Sequence, residues 1–319
     1  MSSTPLDSRS IPAPSSHGDD VGRVAAALDV DPSAILDLAQ TLNPVAPDVT
    51  ALARQHLDGL RRYPDSSRAT SLLAHELGYE AERVVLTNGG AEAIALVATH
   101  VRAGRVDEPE FALYRRHLVV DPTAGRWRSN PHSPTGRLAD AGDRAAVWDE
   151  AFWPLTTGTW TRRDADDGAI VVGSLTKLFA CPGLRIGYVI APDARTAAAL
   201  RALQARWSVN GLAAGLLPDL IERTDLAGWA AQTRRLHLRF VDELRRRGLD
   251  VQAGDAPWAL VRRARLREDL AAHAVLVRDC TSFGQPNTFR LATPRAEQLP
   301  RLLEALDRVL EDRQERHDR

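Results

Sequence analysis

A single lysine is the residue in this sequence whose side chain has the most specific chemistry. Among the 41 lysine and arginine residues, only Lys177 is a lysine. Arginine keeps its proton near neutral pH, whereas a lysine amine can lose its proton and attack a carbonyl carbon. This bias toward arginine favours the interpretation that Lys177 is a nucleophile. The alternative is that a single lysine occurs by chance in an arginine-rich sequence.

Polar residues that could bind an anion surround Lys177. Ser174 and Thr176 precede it, and Arg185 follows it by eight residues, after a Pro-Gly turn. Hydroxyl groups and a bidentate guanidinium can hold a phosphate dianion while the neutral amine reacts with an aldehyde. A lysine in a solvated loop at the end of a strand is the alternative interpretation.

The run from Ser174 to Gly187 resembles the lysine motif of fold-type-I pyridoxal-phosphate enzymes, the class I and II aminotransferase superfamily. The resemblance implies that Lys177 forms a Schiff base with pyridoxal 5′-phosphate. It also implies that Ser174, Thr176 and Arg185 help to bind this cofactor. The family has further motifs in a fixed order, and each has a counterpart in this chain.

The glycine-rich turn Thr87–Glu92 lies between a predicted strand and a predicted helix. Small residues allow backbone N–H groups at a helix N-terminus to approach a phosphate. The resemblance places Gly90, Ala91 and Glu92 at the phosphate contacts. A glycine pair of this kind, taken alone, more often forms an ordinary turn.

Two further motifs resemble segments that contact the cofactor ring. In Pro109–Tyr114, the resemblance implies that Phe111 stacks on the pyridine ring, with Tyr114 as the alternate. A purely structural role for both aromatic residues in the core is the competing interpretation. Asn130–Gly136 is close to the Asn-Pro-x-x-Pro-Thr-Gly signature, so Asn130 is expected to donate a hydrogen bond to the phenolic oxygen of the ring.

Asp149 ends an apolar run that is typical of a strand. The resemblance implies that its carboxylate pairs with the protonated pyridine nitrogen and keeps the ring an electron sink. Taken alone, such an aspartate is more often a helix cap. Phe152 replaces the tyrosine that many aminotransferases have at this position, so a second donor to the phenolic oxygen is missing.

The turn Arg62–Asp65 resembles the Tyr-Pro-Asp turn of the histidinol-phosphate aminotransferase branch. In that branch the tyrosine reaches the cofactor phosphate of the partner subunit. The resemblance therefore implies that Tyr63 binds the cofactor in trans and that the chain forms a homodimer.

The C-terminal segments Val277–Gly284 and Phe289–Ala292 are similar to those of threonine-phosphate decarboxylases of cobalamin biosynthesis. The resemblance implies that Arg290 holds the substrate carboxylate as a planar fork. Further substrate-binding candidates, for which a surface or structural role is the alternative, are Arg278, His17 and Asn43.

The pattern of elements fits an α/β fold. Short apolar runs alternate with helical patterns, which favours a mostly parallel, doubly wound large domain, followed by a smaller α+β domain. The predicted strands are Val84–Thr87, Ala145–Asp149, Ala169–Gly173, Arg185–Ala191, Trp258–Val261, Ala274–Val277 and Thr288–Ala292. The predicted helices are Val21–Leu28, Val49–Leu60, Ser66–Leu77, Ala91–Val101, Asp193–Trp207, Ala227–Arg247 and Arg295–Asp312.

These elements predict four regions along the chain. They are a flexible arm at 1–20, a segment at 21–45 that joins the small domain, a large cofactor-binding domain at 46–207 and a small C-terminal domain at 208–319. Only 18 residues separate Phe111 from Asn130, and 18 separate Asn130 from Asp149. Both connections are short for the family, which predicts trimmed elements in the large domain.

The overall composition argues against several classes of protein. The net charge of −1 offers no broad surface for nucleic acid or an anionic membrane, and no apolar stretch is long enough to span a bilayer. Two cysteines are too few for a disulfide framework or a cysteine zinc site. We therefore expect a cytoplasmic, metal-independent protein, and the resemblance described above implies an enzyme with an amino acid substrate that carries a phosphate group.

The sequence leaves the reaction open among three alternatives. Decarboxylation of L-threonine O-3-phosphate is favoured, and transamination of the histidinol-phosphate type is the second alternative. A non-catalytic relative that only binds the cofactor is the third. Aminotransferase-like regulators carry an added DNA-binding domain, and the roughly 40 residues that precede the core here are not basic.

Overall fold

Residues 11–15 and 19–317 are described by the computed structural model, with side chains described to residue 311. The strands are β1 Leu36–Asp37, β2 Val84–Thr87, β3 Ala103–Val106, β4 Val119–Val120, β5 Arg126–Ser129, β6 Val147–Asp149, β7 Ile170–Ser174, β8 Gly187–Ile190, β9 Asp250–Ala253, β10 Trp258–Arg262, β11 Val275–Leu276, β12 Arg278–Asp279 and β13 Thr288–Ala292. The α-helices are α1 Val21–Leu28, α2 Val49–Gln55, α3 Ser67–Leu77, α4 Gly89–Val101, α5 Leu113–His117, α6 Trp153–Thr157, α7 Leu175–Leu178, α8 Ala194–Leu203, α9 Gly211–Glu222, α10 Leu226–Arg246, α11 Leu266–Ala271 and α12 Leu299–His317. Within the described ranges, no helix is both long enough and apolar enough to cross a membrane.

The larger of two structural units is built around a seven-stranded sheet with the order β2-β8-β7-β6-β5-β3-β4. Every neighbouring pair is parallel except the two pairs that β8 makes, with β2 and with β7. The carboxyl ends of β2, β5, β6 and β7 therefore meet at one edge of the sheet, together with the amino end of β8. In open α/β sheets this edge is where ligands bind.

Helices cover both faces of this sheet, which explains why β2, β7 and β8 are buried at every position. On one face, Leu73 of α3 and Leu216 of α9 join the same apolar cluster. On the other face, Val97 of α4 packs in a second cluster with Leu200 of α8. In both clusters, apolar residues of the helices pack against strand residues such as Val171 on the first face and Val172 on the second.

The chain divides at different positions from those that the sequence pattern indicated. The larger unit comprises residues 45–133 and 137–232, and the smaller comprises residues up to 44, 134–136 and from 233 onward. Residues 208–232 were expected in the small domain, but α9 packs against α3 and completes the core of the larger unit.

The smaller unit is an α+β structure. Its antiparallel sheet has the order β12-β13-β10-β9, and a separate parallel pair joins β1 to β11. Phe240 of α10 and Leu306 of α12 are fully buried in its core. Because β1 pairs with β11, the N-terminal segment belongs to this unit.

Two connections in the larger sheet are short. The described residues 130–146, between the parallel strands β5 and β6, form neither a helix nor a strand. Between β3 and β5 the chain has only the five-residue α5 and the two-residue β4. Since parallel strands are usually joined through a full helix, these connections are trimmed, as the spacing of the motifs predicts.

Candidate functional site

The carboxyl edge of the large sheet brings together residues that are far apart in sequence. Asn130 directly follows β5, Asp149 ends β6 and Ser174 ends β7. The backbone N–H of Asn130 donates to the carbonyl oxygen of Asp149 at 2.8 Å. Parallel register thus places an amide and a carboxylate side by side, next to the turn that carries Lys177.

Beside these residues, the backbones of β7, β8 and the start of α4 approach one another closely. Gly187, at the start of β8, is the register partner of both Thr87 and Ser174. A Cβ atom at Gly187 would lie 2.7 Å from the backbone nitrogen of Gly90, so only glycine allows helix α4 to begin here. The first turn of α4 is thereby held against the end of β7.

Three side chains complete a polar cradle at this helix N-terminus. The hydroxyls of Ser174 and Thr176 are buried and lie 2.9 Å apart. The guanidinium of Arg185 lies against Gly89, and its Nη1 donates to the carbonyl oxygen of Pro182 at 3.1 Å. First-turn N–H groups of a helix have no partner within the helix, so together with these side chains they suit a phosphate dianion.

The side chain of Glu92 has a structural role in the same turn. Its Oε2 accepts hydrogen bonds from Asn88 N at 2.6 Å, Gln204 Nε2 at 3.1 Å and Ser208 Oγ at 3.1 Å. This carboxylate therefore caps α4 and ties it to the chain after α8. At position 92, as at Gly90 and Ala91, only the backbone N–H is therefore available to bind an anion.

Lys177 lies in the short helix α7 and is partly buried. Its Nζ is 5.8 Å from the centroid of the Phe152 ring. Its positive charge favours the ionised form of Asp149, while burial raises the pKa of that carboxyl. Ala151 N and the Tyr114 hydroxyl also donate to Asp149, at 3.0 and 2.8 Å, and oppose the effect of burial.

Asn130 carries a buried donor that the protein leaves unsatisfied. Its Oδ1 accepts from Ala139 N at 3.0 Å, which fixes the orientation of the amide. Its Nδ2 is buried and has no hydrogen-bond partner among the described residues. A buried polar group without a partner costs about 1–3 kcal/mol, so this donor points to an acceptor that a bound molecule would provide.

The two aromatic candidates for ring stacking have different surroundings. Tyr114 is fully buried, with its ring centroid 5.5 Å from that of Trp127 and its hydroxyl on Asp149. It therefore has no free ring face. Phe111 meets Tyr114 edge to face, with centroids 5.8 Å apart, and remains partly exposed. The sequence pattern gives no sign of the contact between Tyr114 and Asp149, because it joins residues on different elements.

Tyr63 lies on the surface of the larger unit and is not part of its buried core. Its side chain is 79% exposed, and its ring centroid is 4.5 Å from that of Trp207. Leu57, Leu60 and Trp207 are also exposed. Leu57 and Leu60 precede Tyr63 closely in the chain, and Trp207 contacts its ring, so we group these four exposed residues as the Tyr63 patch.

The substrate-binding candidates that the structure describes belong to the smaller unit. Arg278 and Arg290 are register partners on β12 and β13. Arg290 lies 5.2 Å from the Trp258 ring centroid, and its Nε has no hydrogen-bond partner in the described part of the chain. Burial and, to a smaller extent, the charge of the neighbouring Arg278 lower the pKa of Arg290 to about 10. Asn43 is buried in the same unit, whereas His17 lies outside the described residues.

The polar groups of the larger unit fit pyridoxal phosphate chemically. The cradle around Ser174 suits its phosphate, and the unsatisfied amide of Asn130 suits its phenolic oxygen. The carboxylate of Asp149 suits a protonated ring nitrogen, and the amine of Lys177 suits the aldehyde. The fit rests on donor and acceptor types that lie along a single edge of the sheet.

Known proteins resemble this chain over most of its length. A family model described as aminotransferase class I and II matches residues 127–306. Threonine-phosphate decarboxylase of Salmonella typhimurium is 29% identical, over 93% of this chain and 97% of that protein. Histidinol-phosphate aminotransferase 2 of Pseudomonas fluorescens is 27% identical, over 92% and 94%. The structure of L-threonine-O-3-phosphate decarboxylase from Porphyromonas gingivalis matches with a TM-score of 0.75 at 25% identity, over 87% of this chain and 100% of that one.

The family match covers more than half of the chain and includes Asn130, Asp149 and Lys177. These three residues end or follow strands of the sheet that the family shares, at the edge where the polar groups converge. The chain therefore belongs to the class I and II aminotransferase family and is an enzyme whose cofactor is pyridoxal 5′-phosphate.

Proposed function

We propose that this enzyme decarboxylates a phosphorylated amino acid, L-threonine O-3-phosphate, as in cobalamin biosynthesis. The observation that carries the proposal is the pair of neighbouring guanidinium groups, Arg278 and Arg290, in the smaller unit. Two such cations suit a substrate with two anionic groups, a carboxylate and a phosphate. The similarity to threonine-phosphate decarboxylases over nearly the whole chain supports the same substrate class.

The cofactor would be held along the sheet edge by residues of the larger unit. Ser174, Thr176, Arg185 and the first-turn N–H groups of α4 bind its phosphate. Asn130 Nδ2 donates to the phenolic oxygen, and Phe111 covers one face of the ring. Tyr63 adds a hydroxyl donor to the cofactor phosphate of the partner subunit.

Bound pyridoxal phosphate supplies an aldehyde for the substrate amine and a ring that accepts the electrons of the bond broken at Cα. Asp149 holds a proton at the ring nitrogen, which keeps the ring electron-poor. The Lys177 amine would hold the aldehyde at rest and would move a proton at Cα during turnover. Its partly buried position beside Phe152 limits access of water to that amine.

Orientation of the substrate selects the reaction. Arg290 would bind the carboxylate, and Arg278 would bind the distal phosphate, with the buried Asn43 as a further contact. A grip that presents the Cα–carboxylate bond to the cofactor would favour loss of carbon dioxide, with a proton taking its place on Cα. A grip that presents the Cα–H bond would favour transfer of the amino group to a keto acid instead.

Transamination of the histidinol-phosphate type is the second candidate. It is favoured by relatives with that name at 24–29% identity and by the turn that carries Tyr63. The test supplies L-threonine O-3-phosphate without any keto acid and measures carbon dioxide and aminopropanol phosphate. A parallel reaction supplies histidinol phosphate with a keto acid acceptor.

Release of carbon dioxide without an acceptor supports the decarboxylase. Product formation only in the second reaction, and only when the keto acid is present, would contradict the decarboxylase and support the aminotransferase. Absence of both products from an enzyme that has bound its cofactor would reject both substrates.

The cradle around Arg185 leads to a prediction for cofactor affinity. Arg185→Gln and Ser174→Ala should each raise the cofactor dissociation constant about tenfold or more, because hydrogen bonds to charged groups contribute about 1.5–3 kcal/mol. Cofactor release is measured by fluorescence after dialysis. The matched control is Arg163→Gln, whose guanidinium pairs with Asp166 on the surface and should bind the cofactor normally.

The Tyr63 patch leads to a prediction for assembly. Contiguous exposed apolar residues mark interfaces, so we expect this patch to be covered in a homodimer. Leu60→Asp should produce a monomer that loses cofactor faster, measured by analytical ultracentrifugation and dialysis. Leu238→Asp, on another exposed leucine, in α10, is the control and should remain dimeric. A dimeric Leu60→Asp protein with normal cofactor retention would contradict the prediction.

A further inference from the structure

The indole of Trp258 and the guanidinium of Arg290 lie on one face of the antiparallel sheet in the smaller unit. Arg290, on β13, is the register partner of Leu260 on β10, and Trp258 is two residues before Leu260. Residues two apart on a strand share a face, and such diagonal neighbours are within reach of long and aromatic side chains. The Arg290 Cζ lies 5.2 Å from the Trp258 ring centroid. At this distance a guanidinium over an indole is stabilised by cation–π attraction.

Two cations that repel each other share this face of the sheet. Arg278 is directly opposite Arg290 on β12, and like charges in that arrangement are destabilising. The Arg278 Nη2 donates to Ser282 Oγ at 3.2 Å, and its Cζ lies 5.7 Å from the Phe283 ring centroid. The buried Nε of Arg290 has no hydrogen-bond partner among the residues that the structure describes. Each cation therefore lies over its own aromatic ring.

The position of the Trp258 ring is itself fixed by the chain segment 134–136. Trp258 is fully buried, and its Nε1 donates to the carbonyl oxygen of Pro134 at 2.7 Å. Asp255 N and Ala256 N both donate to Gly136 O, at 2.8 and 3.0 Å. A Cβ atom at Gly136 would lie 3.3 Å from Cε2 and Nε1 of the indole, so the ring packs closely on this backbone. The hydrogen bond and the packing together hold the indole in one orientation.

We propose that Trp258 is a positioning residue for substrate binding, which holds the Arg290 guanidinium where it receives the substrate carboxylate. The inference rests on the role of Arg290 given under the proposed function. An aromatic face attracts a cation without accepting its N–H groups in hydrogen bonds, so the donors of the guanidinium remain available. A carboxylate side chain in place of the indole would also hold Arg290, but it would compete with the substrate for the same donors.

This role makes the effect of Trp258 depend on a carboxylate in the ligand. L-Threonine O-3-phosphate carries one, whereas aminopropanol phosphate, its decarboxylated product, keeps the amine and the phosphate and has none. A displaced Arg290 should therefore weaken binding of the substrate and leave binding of the product unchanged. A buried tryptophan that only stabilised the fold would affect both ligands.

The experiment compares holoenzyme variants by kcat/KM for release of carbon dioxide and by Ki for aminopropanol phosphate as an inhibitor. Trp258→Leu removes the ring and should lower kcat/KM about tenfold or more, with Ki changed by less than about twofold. Trp258→Phe keeps an aromatic face and should lose less of kcat/KM. The matched control is Phe289→Leu, which removes a buried ring beside Arg290 on the opposite face of β13. It should change substrate and product binding equally.

A double-mutant cycle tests whether Trp258 acts through Arg290. In an Arg290→Gln background, Trp258→Leu should lower kcat/KM further by no more than about twofold. An equal loss of product affinity in Trp258→Leu, or its full effect without Arg290, would overturn the inference. If Trp258→Leu does not fold, Trp258→Phe completes the same cycle, because it weakens the aromatic attraction and removes the hydrogen bond to Pro134.

A wild-type enzyme that releases no carbon dioxide would instead reject the proposed substrate. Transamination then offers the same comparison, because the keto acid carries a carboxylate and histidinol phosphate carries none. A lower kcat/KM in Trp258→Leu for the keto acid alone would support the role of Trp258, and equal losses for both substrates would contradict it. The two failures are thus distinguishable.

Discussion

Replacing Lys177 with arginine should abolish covalent attachment of the cofactor and lower turnover by at least about 10³-fold. Arginine preserves the positive charge beside Asp149, but its guanidinium stays protonated and cannot bond to the aldehyde. Lys177 is partly buried, and its Nζ lies 5.8 Å from the centroid of the Phe152 ring, over which a guanidinium can also lie. Loss of function would then be due to the missing amine rather than to a missing charge.

The scarcity of lysine makes this prediction unusually direct to measure. After borohydride reduction, the wild type should gain the mass of one cofactor on the peptide that contains Lys177, which carries the only lysine amine of the chain. Arg163→Lys adds a lysine on the exposed surface and serves as the control, since it should not be labelled. A labelled Lys177→Arg protein, or one with normal turnover, would show that the reactive amine lies elsewhere.

Elements with a strong apolar period were predictable from the sequence. Helix α1 and strand β2 have the bounds that the pattern indicated, Val21–Leu28 and Val84–Thr87. Strand β5 was missed because its residues, Arg126–Ser129, are mostly polar and only every second one is buried. Helix α9 was missed because Gly211, Gly215 and Pro218 disfavour a helix, while tertiary packing of its leucines stabilises it.

The candidate site divides in the same way between local motifs and long-range contacts. Lys177, Asn130 and Asp149 could be identified because each lies in a short motif with its own chemistry. The hydrogen bonds from Tyr114 to Asp149 and from Ser129 to Glu110 depend on the register of β5 with β6 and on the short α5. No spacing within one element encodes such contacts, so sequence alone did not predict them.

Asp149→Asn should reduce turnover about 10²- to 10³-fold while the protein keeps its fold and its covalent link to the cofactor. The substitution preserves shape, and an amide oxygen can still accept from Ala151 N. It removes the negative charge that would hold a proton at the ring nitrogen, and breaking a buried charge pair costs about 3–5 kcal/mol.

The same substitution should change the dependence of activity on pH. Burial raises the pKa of the Asp149 carboxyl, so this group in the wild type loses its charge as the pH falls, at a higher pH than an exposed aspartate would. The asparagine variant carries no titrating group there, so its residual activity should lack that acidic decline. Turnover against pH is measured for both, with Glu150→Gln as the control that changes the adjacent buried acid. Equal losses in Asp149→Asn and Glu150→Gln would assign the effect to general destabilisation, whereas a loss confined to Asp149→Asn would assign it to the charge at the ring nitrogen.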